Sequence, residues 1–326
     1  MKIFITRKIP DLGLQLLQKQ YDIEINPENR VLTKYEIING VKGKDGLLCL
    51  LTDLIDEEVI CSEPNLKMIA SYAVGYDNID VKAATKQGIP VSNTPDVLTD
   101  ATAEMAWSLL FSVARRIVEG DTYTRKGRFK GWDPLLMHGQ DISTKTLGII
   151  GTGRIGTAFA LKSKGFNMNV IYVQRHHNET LENELHAKKV DLKTILKTSD
   201  FISLHVPLTK ETTHLIGEKE LKMMKKTTVL INTSRGPVID EQALVKALKN
   251  KWIFGAGLDV YEYEPNISEE LKKLDNVILQ PHSASATIEA RTKMAILAAE
   301  NMIAGLNNEI PPNCVNKEVF QKKSIT

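Results

Sequence analysis

Three side chains are the ones best equipped to do chemistry. They are Arg235 in Asn232-Thr233-Ser234-Arg235-Gly236-Pro237, Glu264 in Tyr261-Glu262-Tyr263-Glu264-Pro265, and His282 in Pro281-His282-Ser283-Ala284. The runs Val229–Thr233, Gly255–Val260 and Val277–Gln280 precede them and read as strands. Residues just past the carboxyl end of a parallel strand face the ligand crevice of an open α/β sheet. The guanidinium of Arg235 is planar and permanently charged, a match for a carboxylate. Histidine is the side chain best suited to proton transfer near neutral pH, and a neighbouring carboxylate favours its charged form and fixes its tautomer. Such a set can grip an acid group, polarise the carbonyl beside it and protonate the alkoxide that develops. The expected chemistry is reduction of a small 2-oxo acid, or the reverse oxidation of a 2-hydroxy acid. Arg235, Glu264 and His282 are the expected catalytic residues, and Arg235 and His282 also touch the substrate.

That chemistry needs a hydride carrier, and the chain holds a motif for one. Gly151-Thr152-Gly153-Arg154-Ile155-Gly156 is a GxGxxG sequence, fed by the apolar strand Leu147–Ile150 and followed by a helical pattern. In this setting the first glycine permits a tight turn, the second lets the backbone approach a pyrophosphate and the third lets helix and strand pack closely. The next strand ends at Val173, and Gln174-Arg175-His176-His177 follows. An acidic residue about 20 positions past the motif would hold the ribose hydroxyls of NAD, whereas an arginine accommodates a 2′-phosphate. Gln174, 18 positions after Gly156, carries no charge, and Arg175 and His176 stand beside it. NADP(H) is the favoured cofactor on this reading, with NAD(H) as the alternative.

The elements that position these residues follow from pattern. Apolar runs at Lys2–Thr6, Leu47–Leu51, Lys67–Tyr72 and Pro90–Ser92 alternate with helical patterns at Leu12–Lys19, Glu57–Ser62 and Val81–Gln87. A second series has strands at Thr146–Gly151, Val170–Val173, Phe201–Val206 and the three runs named above. Its helices are expected at Arg154–Lys164, with Gly165 as C-cap, and at Leu192–Lys197, Glu218–Met224 and Glu241–Lys249. Such alternation predicts an α/β protein with two doubly wound parallel-sheet domains. One helix is expected to run from Thr99 to about Gly120, while Gly127–Gly139, with Trp132 and Pro134, reads as an excursion; an Ala-rich helix, Ile288–Ala304, ends the series.

Composition narrows the function classes. The 326 residues carry 42 basic and 40 acidic side chains, a net charge of +2. That balance offers no electrostatic footprint for nucleic acid, and the short basic tail Lys317–Lys323 reads as a solvated end. Three scattered cysteines, Cys49, Cys61 and Cys314, argue against a disulfide framework and a zinc site, so no metal is expected. Cys49 reads as a buried small hydrophobe. No stretch is long and apolar enough to span a membrane, and Met1–Ile5 lacks a signal-peptide pattern, so the expected location is cytoplasmic.

Over nearly its whole length the sequence resembles the D-isomer-specific 2-hydroxyacid dehydrogenases. Ser71–Asp80, the glycine motif, His205-Val206-Pro207-Leu208-Thr209, Asn232–Pro237, Gly257-Leu258-Asp259-Val260, Glu264-Pro265 and Pro281-His282 carry the likeness. Within that family it looks most like the glyoxylate/hydroxypyruvate reductases, through Asn276–Asn301 and Gly131-Trp132-Asp133-Pro134-Leu135. The resemblance implies a flavodoxin-like substrate domain, residues 1–99 plus 289–326, and an inserted Rossmann dinucleotide-binding domain, residues 100–288. It implies that the backbone at Val74 and Gly75 holds the substrate carboxylate, and that Asp259 meets the nicotinamide carboxamide. Thr102, the Thr152–Ile155 turn, Val206, Pro207, Thr233, Ser234 and Ala284 would line the cofactor. It also implies a homodimer in which Trp132 of the partner subunit reaches the active site. Ser283-Ala284 departs from the pattern, since relatives usually carry an apolar residue and Gly there. Two other readings stand beside this one, a D-lactate or other D-2-hydroxyacid dehydrogenase and a nucleotide-sensing binding module.

Overall fold

The computed structural model describes residues 1–321, so Lys322 and Lys323 of the basic tail lie outside the described residues, as does the end of the 289–326 segment. The chain divides into two compact units, Met1–Leu98 with the segment from Ala286 onward, and Thr99–Ser285.

In the first unit the strands are β1 (Lys2–Ile5), β2 (Asp22–Ile25), β3 (Gly46–Cys49), β4 (Met68–Ser71) and β5 (Val91–Ser92). They form one parallel sheet in the order β2-β1-β3-β4-β5, the flavodoxin-like arrangement. Every residue of β3 and β4 is buried, as expected of parallel strands covered on both faces. Cys49 is fully buried there. The edge strand β2, Asp-Ile-Glu-Ile, is not among the expected strands; it stays half exposed, so it lacks the apolar run that marks its neighbours. The Lys34–Val41 helix is also absent from the expected elements, although Thr33 and Glu36 form a capping box at its start. The C-terminal segment completes this unit through Asn316, whose buried amide accepts from Val91 N at 2.8 Å and donates to Ile89 O at 2.9 Å.

The strands of the second unit are β6 (Thr146–Ile150), β7 (Asn169–Val173), β8 (Lys188–Lys189), β9 (Phe201–Leu204), β10 (Val229–Asn232), β11 (Gly255–Leu258) and β12 (Val277–Leu279). They too are parallel, ordered β12-β11-β10-β9-β6-β7-β8. The chain reverses its direction of winding between β6 and β9, and ligands of such sheets bind at the carboxyl ends beside that switch point. Two apolar clusters cover the two faces. One is organised around Trp107, whose indole N–H donates to Phe159 O at 2.9 Å while its ring lies 4.9 Å from that of Phe159. Emptying that position would cost about 3–5 kcal/mol.

Two expectations for this unit are corrected. The long helix from Thr99 is two helices, Thr99–Ala114 and Ile117–Arg125. Arg116 adopts a left-handed backbone (φ 53°) and ends the run of helical hydrogen bonds. Gly165 is not a C-cap: the Arg154–Leu161 helix passes into a 3₁₀ turn, Lys162–Phe166, which Asn167 closes at φ 50°. Asparagine is the other residue that tolerates this conformation.

Candidate active site

The glycine turn sits between β6 and the Arg154–Leu161 helix. Gly151 has φ 92°, and a Cβ there would lie 2.7 Å from His205 O. A Cβ on Gly156 would lie 2.0 Å from Gly151 O, so the third glycine is what lets the helix start against the strand. A Cβ on Gly153 would meet nothing within 4 Å. Its backbone therefore borders open space, as a turn that admits a phosphate requires. Thr152 Oγ1 and Thr233 Oγ1 are buried without a hydrogen-bond partner, although buried hydroxyls are normally satisfied. The turn, the open face at Gly153 and these two hydroxyls together fit a dinucleotide. Arg154 and Ile155 open the helix, Thr102 is buried in the Thr99–Ala114 helix, and half-buried Val206 and exposed Pro207 follow β9.

His205, also past β9, supports this turn from below. The residue keeps some surface, but its ring packs 5.1 Å from Phe159 and contacts Ser203 Oγ at 2.8 Å. That desolvation pushes the imidazole down to about 3, so it is neutral at physiological pH.

Past β7, Gln174, Arg175 and His176 are exposed. The loop is tied to its neighbours: Lys189 Nζ donates to Arg175 O at 2.7 Å. The Asn178 amide donates to Thr152 O at 3.1 Å and Thr157 Oγ1 at 2.9 Å. Asn178 thus ties the loop bearing Arg175 to the glycine turn, a role the sequence does not announce. Its position ahead of Glu179 is readable as a helix N-cap, which it is, but the bridge to a turn 26 residues earlier is not.

The three expected catalytic residues lie past β10, β11 and β12, and two are in direct contact. His282 Nδ1 is 2.8 Å from Glu264 Oε2, and Glu264 Oε1 accepts from Tyr261 N at 2.9 Å. Burial works to raise the Glu264 carboxyl. The hydrogen bond and charge of His282, the Tyr261 N–H and the charge of Arg235 outweigh it, so the group sits below the ordinary glutamate value. Arg235 is placed by Asn232, which is buried and is not among the residues singled out from sequence. The Asn232 amide donates to Arg235 O at 2.9 Å, and its carbonyl accepts from Ser234 N at 3.0 Å and Ser234 Oγ at 2.8 Å.

His282 itself has φ 52°, a left-handed conformation that a non-glycine residue keeps only where its surroundings enforce it. Asp259 supplies that enforcement. It is fully buried, and its two carboxylate oxygens accept from Ser283 N at 2.7 Å and Ala284 N at 2.9 Å. Burial raises the Asp259 carboxyl despite those two N–H groups.

The remaining expected site residues fall elsewhere. Val74 and Gly75 belong to the first unit, on the loop after β4, where Val74 O accepts from Asn93 Nδ2 at 2.8 Å. Trp132 is 86% exposed, with Phe129 and Leu135 also exposed beside it. It is not brought to the Arg235–Glu264–His282 cluster within its own unit. Among the described residues no group of His, Cys, Asp and Glu is placed to hold a metal ion.

A doubly wound dinucleotide fold with a histidine–carboxylate pair and an arginine past the carboxyl ends of its strands defines a class, the nicotinamide-dependent oxidoreductases. A family model described as D-isomer specific 2-hydroxyacid dehydrogenase, NAD binding domain, matches residues 107–284. Over 323 residues the chain is 55% identical to a glyoxylate reductase of Thermococcus litoralis, covering 98% of each. Among solved structures it is similar to the TT0316 protein of Thermus thermophilus, with 41% identity, TM-score 0.91 and coverage of 97% of this chain and 100% of that one. It is also similar to an NADPH-dependent glyoxylate/hydroxypyruvate reductase of Sinorhizobium meliloti in complex with NADP and malonate, with 31% identity, TM-score 0.85 and coverage of 98% of each chain. The chain belongs to the D-isomer-specific 2-hydroxyacid dehydrogenases and is an oxidoreductase.

Proposed function

We propose that the protein reduces a small 2-oxo acid, glyoxylate or hydroxypyruvate, to the D-2-hydroxy acid, with NADP(H) favoured over NAD(H). The observation that carries the reading is the 2.8 Å His282–Glu264 pair with Arg235 on the adjoining loop. A bound nicotinamide dinucleotide supplies the hydride. Arg235 grips the substrate carboxylate and polarises the 2-oxo group. Because Nδ1 of His282 is engaged by Glu264, Nε2 is the atom that delivers the proton to the developing alkoxide. Asp259 accepts two N–H groups and retains lone-pair capacity for the nicotinamide carboxamide. Arg175, with Gln174 and His176, receives the 2′-phosphate. The substrate identity is supported by the relatives named glyoxylate reductase and the cofactor by the solved reductase described as NADPH-dependent.

In this reading residues 100–288 are the dinucleotide domain and residues 1–99 with 289–326 the substrate domain. The exposed Phe129, Trp132 and Leu135 form an arm that pairs two copies as a homodimer. None of the described helices is long and apolar enough to cross a membrane, and a cytoplasmic location belongs to the same proposal.

The test is optical assay of NADPH and NADH oxidation with glyoxylate, hydroxypyruvate, pyruvate and 2-oxoisocaproate. Fast turnover of the first two with NADPH is expected. A preference for pyruvate or the branched acid would move the protein to another D-2-hydroxyacid dehydrogenase activity, and a strong NADH preference would remove the role given to Arg175. No turnover with any of the four would favour a nucleotide-sensing module.

A further inference from the structure

A second histidine–carboxylate pair has its acid on the same loop as Glu264, two residues upstream of it, and its histidine on the loop after β9. His214 Nε2 is 2.7 Å from Glu262 Oε1, and the Glu262 side chain is only 8% exposed. Glu262 is also locked to Glu241 by a reciprocal exchange. Glu241 N donates to Glu262 Oε2 at 2.9 Å and Glu262 N donates to Glu241 Oε2 at 3.2 Å. The second oxygen of buried Glu241 accepts from Ser268 N at 3.1 Å, closing the far end of the loop. His214 is itself anchored to the segment that follows Arg235, since its N–H donates to Pro237 O at 2.8 Å. On the near side, a Cβ on Gly236 would lie 1.8 Å from Tyr261 O and 2.5 Å from Glu262 N, so the two loops run in direct backbone contact.

We propose that His214 and Glu262 are positioning residues: they clamp the Tyr261–Glu264 segment against the loop bearing Arg235, and so set how firmly Glu264 holds His282. The proposal rests on the reading of Glu264 and His282 as the acid/base pair. The path is short and continuous. The Glu262 carboxylate, engaged by His214, holds Glu241 N, and the Glu241 carboxylate in turn accepts the N–H of the peptide between Tyr261 and Glu262. Tyr261 N fixes Glu264 Oε1, and Glu264 Oε2 is left to face His282 Nδ1. Glu262, with Asp240 and Glu241 nearby, holds the Tyr263 phenol above its ordinary value. The charged groups acting on the acid/base pair are Arg235 and Asp259. His214 touches none of the expected catalytic atoms and is about half exposed, so its removal leaves the core intact.

The experiment compares His214→Ala, His214→Gln and Glu264→Gln in the full-length protein. It measures kcat and KM for glyoxylate with NADPH across pH, together with melting temperature and NADPH affinity by fluorescence titration. Reduction needs a protonated His282, so activity falls on the alkaline side, and a weakened carboxylate partner brings that fall to lower pH. The expected result for His214→Ala is a loss in kcat on the order of tenfold, an alkaline limb displaced in the same direction as in Glu264→Gln, and unchanged NADPH affinity. His214→Gln keeps an N–H donor for Glu262 and is expected to restore most of the rate and the limb. If Glu264→Gln moves the limb and His214→Ala does not, the clamp is overturned and the acid/base pair stands. A limb unmoved in Glu264→Gln overturns the acid/base reading and the clamp with it. Glu262→Gln, which cannot accept from both Glu241 N and His214, must shift the limb as His214→Ala does, and failure to do so also overturns the clamp.

Discussion

At the carboxyl edge of the first sheet, Asp53 is buried and accepts from Thr6 Oγ1 and from Leu50 N. At the carboxyl edge of the second, Asp259 is buried and accepts from Ser283 N and Ala284 N. Burial raises both carboxyls, against the pull of their hydrogen bonds. Each is a buckle that holds a loop to a strand end, and each carries the cost of a partly desolvated charge. The difference lies in what the loop presents. Asp53 closes the turn directly after β3, and its own backbone carbonyl accepts from Asn78. Asp259 reaches across 24 residues to hold the loop on which His282 stands at φ 52°, within 2.8 Å of Glu264. A buried carboxylate at a sheet edge is therefore no mark of chemistry by itself. It becomes part of a site when the loop it holds brings complementary groups together.

That contrast can be broken at its strongest point first. His282→Gln is expected to cut turnover by roughly a thousandfold while leaving NADPH affinity unchanged in a fluorescence titration. Near-wild-type turnover would remove the chemistry from this edge. Next, the two buckles can be set side by side. Asp259→Ala leaves two backbone N–H groups without their acceptor and frees the His282 loop, and kcat is expected to fall by about one to two orders of magnitude. Asp53→Ala is expected to lower stability by about 1–3 kcal/mol, read as a lower melting temperature, with kcat within about twofold of wild type. Equal effects on kcat would erase the distinction.

The smallest expected effect is a pH dependence. The Glu264 carboxyl is held below its ordinary value of 4.5. Its contribution to stability is complete above that value and is lost as pH falls through the lowered folded value. The melting-temperature gap between wild type and Glu264→Gln should therefore narrow as the pH is taken below that range. A gap that stays constant would mean that Glu264 is not tied to a charged partner in the folded protein.

The sequence alone determined a good deal of this. The alternation of apolar runs and helical patterns predicts two doubly wound sheets because both periodicities are local, and β3, β4 and β6 follow from runs buried on both faces. Turn chemistry is local as well, so Gly151 and Gly156 were readable as the tight turn and the close packing they provide. Arg235, Glu264 and His282 stand out as candidates because each has a reactive type and a place just past a strand.

The tertiary structure decided what depends on pairs distant in sequence. The strand β2 carries two acids in four residues, and only pairing with β1 makes it a strand. Nothing in the chain's local pattern forbids a continuous helix through Arg116; the backbone of the folded unit breaks it. Asn178, Asn232, His214 and Glu262 are ordinary polar residues until folding puts a turn, an arginine loop or each other within hydrogen-bond reach. A short polar side chain has the same local signature whether it faces water or buttresses a site. Its partner is chosen by the packing of strands that meet only in the folded sheet.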